Sequence, residues 1–385
     1  MRYESTPRIE INLPKIRHNA KALKTLFGQK GIEVTGVVKG VAANLEIVGA
    51  LIESGITSIA DTKIVNIKKM RQAGVKAMLI FLRTPAMSEV RQVVEYADIS
   101  MNSEIDVVRA LSAEAVKQGK VHRIIIMVEM GDLREGVMPD DVPSFIREVQ
   151  KLPGIEITGI GTNFACFGGV IPTEKKMREF SSLAISIQKQ FSLQLKYVSG
   201  GNSANYGWLT KTKDVGAINH IRLGESIFLG RETVAGKLIP GLYPDAFSFI
   251  AEVVESKLKP SVPMGERGRN AFGQTLAFKD RGVIRRAIVG AGRQDILVDG
   301  LTPRLPVEIL GSSSDHIILD TKGLHLKPGD EIAFSVDYGA LLSAMTSPYV
   351  HKKCVHSDPK QQQTFLKKNL NIKTKFYVSS LSQAN

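Results

Sequence analysis

The stretch GIEVTGVVKGVAANLEIVGALIESGITSIAD, residues 31–61, decides the architecture. It contains an apolar run, Val34-Thr35-Gly36-Val37-Val38, closed by Lys39 and Gly40. A short apolar run bounded by glycine reads as a buried strand with a loop at its tip. LEIVGALIES (45–54) then places apolar residues along one helical face, and TSIAD (57–61) is a second strand-like run. Strand, helix and strand in about thirty residues make a parallel crossover unit.

The unit recurs along the chain. Strands are predicted at 34–39, 57–61, 77–82, 97–101, 122–130, 155–161, 195–199 and 218–223. Helix-like segments with charged faces lie between them, as at 63–73, 104–118 and 174–190. Eight strands alternating with helices imply parallel pairing and right-handed crossovers. The expected fold class is α/β, a closed (β/α)₈ barrel over residues 8–230.

After Gly230 the pattern changes. FSFIAEVVES (247–256), RRAIVGAG (285–292), VEILG (307–311), HIILDT (316–321) and EIAFSVDYG (331–339) are short β-rich runs between Gly and Pro turns. They predict a mostly antiparallel β domain over 231–356. RIEINL (8–13) precedes the barrel and is expected to pair into that domain. Residues 357–385 read as a polar, basic tail.

Bulk properties narrow the function. The 385 residues are 43% apolar, enough for one large and one medium domain with sizeable cores. No run approaches the roughly eighteen apolar residues of a membrane span, and the N-terminus lacks a signal-peptide pattern. Two cysteines, Cys166 and Cys354, cannot make a disulfide framework, so a cytoplasmic location is expected. The net charge is +13, but the Lys and Arg are dispersed and no stacking aromatics interleave them. Nucleic acid is therefore not the expected partner.

In this barrel class the chemistry sits at the C-terminal ends of the strands. Those ends carry Lys39, the loop GDLREG (131–136), Thr162 and Asn163 with Cys166, the loop SGGNSAN (199–205), and Arg222 followed by Gly224, Glu225 and Ser226. The last two loops are where phosphate sites form in this fold. Gly200 and Gly201 let backbone N–H groups approach an anion, and Asn202 and Ser203 add side-chain donors. A lysine at such a mouth can form a Schiff base with a phosphate-bearing aldehyde cofactor. Each signal alone has a plainer reading. A strand-end lysine is usually a solvated cap, GDLREG can be a loop with one ion pair, and Arg222 can pair with Glu225. Their convergence on one rim is what points to a site.

These stretches resemble the alanine racemase family of pyridoxal 5′-phosphate (PLP) enzymes, in its alanine/ornithine racemase branch. The resemblance is carried by GVVKG (36–40), GDLREGV (131–137), GTNFACFGGVIP (161–172), SGGNSAN (199–205) and RLGESIFLGRET (222–233). AFGQ (271–274), GRQD (292–295), SSSDH (312–316) and TSPYV (346–350) extend it in the family's order. The resemblance implies that Lys39 holds PLP and acts as a base on one face of the substrate Cα. It implies that Arg134 approaches the cofactor's phenolic oxygen and Arg222 faces the pyridine nitrogen. Ser203, Gly224, Glu225 (through its backbone N–H), Ser226 and Tyr338 would receive the phosphate, with Asn202 beside them. Asn163 stands where alanine racemases have a histidine, close behind the cofactor.

One departure matters. Where the family places a catalytic tyrosine from the partner subunit, this chain has Phe272. A phenyl ring moves no proton, yet two-base racemisation needs a second acid/base group. His316 is the candidate, with Asp315 beside it as an orienting group; the alternative is a structural strand histidine. The D-threonine aldolases and D-serine dehydratases hold a metal with a comparable histidine. Here Ile317 and Ile318 follow instead of a second ligand, so no metal is expected.

The expected activity is PLP-dependent racemisation of an amino acid, ornithine first, in a head-to-tail homodimer. Asp132, Glu225, Glu232 and Asp295 are the candidate acceptors for a side-chain ammonium. The alternatives are a lyase of the same fold and a PLP carrier without turnover.

Overall fold

The structure, a computed structural model, describes residues 5–356. The tail predicted at 357–385 lies outside the described residues. Strand β1 (Arg8–Asn12) comes first, followed by a helix, Leu13–Gly28, that Asn12 caps by accepting from the Lys15 N–H.

Eight parallel strands then close a barrel. They are β2 (Glu33–Val37), β3 (Ser58–Asp61), β4 (Met78–Phe81), β5 (Ile99–Asn102), β6 (His122–Met127), β7 (Ile155–Gly161), β8 (Tyr197–Ser199) and β9 (His220–Leu223). Closure is made by β2 against β9, with Val34 opposite Ile221 and Thr35 opposite Arg222. Helices Leu45–Glu53, Ile64–Gln72, Ile105–Lys117 and Glu174–Phe191 fall where the periodicity places them. The strands are apolar on both faces because two cores need them. Inside the barrel, Val37, Ala60, Ile80, Ile99, Met101, Ile125, Met127 and Tyr197 pack together; their neighbours in sequence face the helices. The lumen is thus filled, and only its rim offers a cavity.

The second sheet has eight strands. β10 (Phe247–Pro260), β11 (Val283–Val289), β12 (Leu301–Pro303), β13 (Glu308–Ser312), β14 (Ile317–Asp320) and β15 (Glu331–Val336) pair antiparallel in the order β12-β15-β10-β11-β14-β13. β1 joins this sheet, antiparallel to β10 and parallel to β16 (His351–Val355). The buried Arg8 side chain fixes that junction with two hydrogen bonds to the Glu331 carboxylate, at 2.6 and 2.8 Å.

Two local readings are corrected. The first barrel strand ends at Val37, and Lys39 opens a 3₁₀ turn, Lys39–Val41, rather than closing the strand. In EIAFSVDYG the strand stops at Val336, and Asp337 caps a helix, Tyr338–Thr346, by accepting from the Ala340 N–H. An Asp followed by residues of good helix propensity is an N-cap, and that local signal outweighs continuation of the strand.

Candidate active site

A cavity of about 490 Å³ opens at the C-terminal rim of the barrel. Its walls include Lys39, Arg134, Asn163, Asn202, Ser203, Arg222, Gly224, Glu225 and Tyr338, all singled out from sequence. Ser226 lies just behind the wall, its hydroxyl 3.1 Å from that of Ser203.

The floor is built on Arg222. Burial lowers its pKa to about 10, so the guanidinium stays charged at neutral pH. It donates to the Thr162 carbonyl at 2.7 Å, to Asn163 Oδ1 at 3.0 Å and to the Ser199 hydroxyl. Ser199 in turn meets His220 Nδ1 at 2.8 Å, and His220 Nε2 meets Thr35 Oγ1 at 2.7 Å. Burial holds the His220 pKa near 3, so this ring is neutral. Arg222 therefore ends a polar chain that runs into the barrel, and it does not pair with Glu225.

The side walls are loops held by backbone contacts. The Asp132 carboxylate accepts from the N–H groups of Cys166, Phe167 and Val170, tying the GDLREG loop to the one after β7. Arg134 pairs with both oxygens of Glu135 and touches the Cys166 thiol. Asn202 caps the turn Ser203–Asn205 and donates to the Phe164 carbonyl at 2.8 Å. Tyr338 arrives from the second sheet domain; burial pushes its pKa up to about 12, so its hydroxyl is a proton donor at neutral pH.

The candidates for the second base lie elsewhere, as does Phe272. His316 and Asp315 are exposed, just ahead of β14, and line no part of this cavity. Asp315 accepts from Gln294 and Ser314. Phe272 is in the exposed 271–282 segment, its ring 4.0 Å from the Arg293 guanidinium carbon. Sequence reading missed Lys63 and Arg83, which also line the cavity. Both follow strand ends, β3 and β4, so their position at the C-terminal rim is the signal that marks them.

The shape and charge match a vitamin-type phosphate ester. The lining has five cations, Lys39, Lys63, Arg83, Arg134 and Arg222, against Glu135 and Glu225. A Cβ on Gly224 would sit 3.0 Å from the Val37 carbonyl oxygen, so this wall is kept bare. Hydroxyl groups of Ser203 and Tyr338 line the cavity, and that of Ser226 backs Ser203. An amine, a buried guanidinium and a hydroxyl-lined cradle are the donor set that PLP requires.

Comparison with known proteins agrees with this geometry. Residues 11–232 match the alanine racemase N-terminal domain. The ornithine racemase of Acetoanaerobium sticklandii is 43% identical over 351 residues, covering 90% of this chain and 99% of that protein. The chain belongs to the alanine racemase family. The lysine racemase of Thermotoga maritima is 38% identical over 90% of this chain and 98% of its own length. The alanine racemase of Bacillus anthracis superposes with a TM-score of 0.73 at 17% identity, over 93% of this chain and 97% of that one. A D-threonine aldolase from Filomicrobium marinum gives 0.69 at 16% identity, over 89% and 88% of the two chains. At such identities these structures speak for the fold alone. As a member of the alanine racemase family, the protein is a PLP-dependent amino-acid racemase.

Proposed function

We propose that this racemase interconverts the L and D forms of ornithine and accepts lysine as a second basic substrate. The observation that carries this reading is the 43% identity to an ornithine racemase along 90% of the chain. The lysine racemase, matched over the same share of the chain, supports the extension to a longer diamino acid.

Bound PLP supplies electron withdrawal that makes the substrate Cα proton removable. Lys39 holds the cofactor and exchanges that proton on one face. Arg222, charged at neutral pH on the floor of the cavity, would face the cofactor's ring nitrogen and keep it unprotonated, which would limit leakage to transamination. Ser203, Ser226, Tyr338 and the backbone at Gly224 and Glu225 hold the phosphate, with Asn202 and Asn163 bracing the wall behind them. Arg134, held by Glu135, would position the cofactor's phenolic oxygen.

The second proton comes from His316 of a second copy in a homodimer, with Asp315 beside it in the chain. Two sets of exposed apolar side chains support this assembly. Met264, Phe272, Leu276 and Phe278 protrude from the 261–282 segment, and Leu133 and Phe167 stand at the cavity rim. The enzyme works in the cytoplasm; among the described residues no helix is long and apolar enough to cross a membrane.

Incubation with L-ornithine in D₂O tests the reading. Deuterium enters Cα and D-ornithine accumulates. A protein that exchanges neither ornithine nor lysine has another substrate. Chelator-sensitive cleavage of a β-hydroxy amino acid would make it a lyase instead.

A further inference from the structure

A diamino acid brings a second ammonium into the cavity on its side chain. An ammonium taken from water needs an anionic partner. Most carboxylates near the rim are already committed. Asp132 serves three backbone N–H groups of the facing loop. Glu232 accepts from the N–H groups of Val234, Ala235 and Lys237. Asp295 caps the Gly292 N–H in the sheet domain and does not line the cavity. Asp61 is fully buried on the Lys63 N–H and the Asn66 amide, and Glu135 is taken by Arg134.

Glu225 differs from all of these. It lines the cavity between Gly224 and Tyr338 and, among the described residues, has no hydrogen bond or ion pair through its carboxylate. The cations of the lining are mostly spoken for. Arg83 pairs with Glu89, Arg134 with Glu135, and Arg222 is fixed at the floor. The substrate's own carboxylate and the phosphate add negative charge that the remaining cations balance. Among the described residues of the lining, Glu225 is the carboxylate left to receive a positive side chain.

We infer that Glu225 binds the side-chain ammonium of a diamino-acid substrate and thereby selects basic over neutral amino acids. This rests on the racemase reading above. Its environment fits the role. Burial, then Asp337, raise the Glu225 pKa, while Arg231 and Lys39 pull it down and Glu232 pushes it up. A cation docked beside the carboxylate relieves the first two effects.

The test compares L-ornithine with L-norvaline, which has the same carbon chain without the terminal amine. Racemisation of both is measured for the PLP-loaded wild type, Glu225→Gln and Glu225→Asp. The ornithine-to-norvaline ratio of kcat/KM should fall about 100-fold in Glu225→Gln, chiefly through the ornithine KM. Glu225→Asp should recover part of it. Calorimetric titration should show the same loss of ornithine affinity without reference to turnover. In the wild type, the ratio should also fall as pH drops through the raised Glu225 pKa, a measurement that needs no variant. A ratio unchanged by Glu225→Gln and flat with pH, in an enzyme that racemises ornithine, overturns the inference and leaves the racemase reading intact. A wild type that prefers norvaline overturns it too. A wild type that racemises no amino acid sinks the racemase reading and this inference with it.

Discussion

A Cβ built on Gly40 would lie 3.1 Å from the Tyr338 ring. The turn that carries Lys39 and the helix that carries Tyr338 therefore meet with no side chain between them. One belongs to the barrel and the other follows strand β15 of the second sheet, so the proposed cofactor lysine and the proposed phosphate tyrosine meet where the two parts join.

Gly40→Val should disturb that junction. The added methyls must displace the Tyr338 ring, and PLP affinity should drop about 10-fold through the lost phosphate contact. An absorbance titration of PLP into the variant measures this. Wild-type affinity would show that Tyr338 can move aside at no cost.

Lys39→Ala should remove both the absorbance band of the bound cofactor and the racemase activity. The loss of turnover should exceed about 1,000-fold, because covalent attachment and proton transfer disappear together. Retained racemisation in that variant would sink the mechanism.

Asp132→Ala should loosen the rim without touching Lys39. Three backbone N–H groups lose their acceptor in a side chain that is 1% exposed. The expected cost is about 2–3 kcal/mol of stability, with faster hydrogen exchange at Cys166, Phe167 and Val170. Exchange unchanged at those amides would mean water replaces the carboxylate.

Acid should weaken the barrel through two histidines. Burial holds His122 near a pKa of 4 and His220 near 3, well below the ordinary value of 6.5. Below pH 6.5 the unfolded chain binds protons that the folded rings refuse, so this stability is intact above 6.5 and declines as pH falls toward 4. The loss is about 2 kcal/mol per ring at pH 5. Asp61, raised to about 6 by burial, works in the opposite sense: its contribution is present at low pH and is lost as pH rises through 6. Denaturant melts of His122→Gln between pH 5 and 8 should show a shallower slope than the wild type.

Much of the site could be read from residue order alone. Short apolar runs and period-3.6 patterns placed eight strands and their helices to within a few residues, because a parallel strand buried on both faces needs an unbroken apolar run. Knowing the strands, the rim rule then picked out Lys39, Asn163, Ser203, Arg222 and Glu225, all of which line the cavity. Hydrogen-bond allegiance was not legible. Asp132 and Glu225 look alike in a sequence, yet one is used up by a neighbouring loop and the other lines the cavity with no partner among the described residues. The difference lies in which backbone N–H groups fold against each carboxylate, and those come from residues more than thirty positions away.

The sequence by itself determined the alternation that closes the barrel, the later β-rich sheet, and the residue types at the rim, since each depends on local periodicity and turn chemistry. Tertiary structure alone decided that Tyr338 packs against the turn carrying Lys39, and that His316 lies apart from its own chain's cavity. It also decided which charges are free to meet a substrate. Those facts depend on contacts between distant segments, which exist only once burial has brought the segments together.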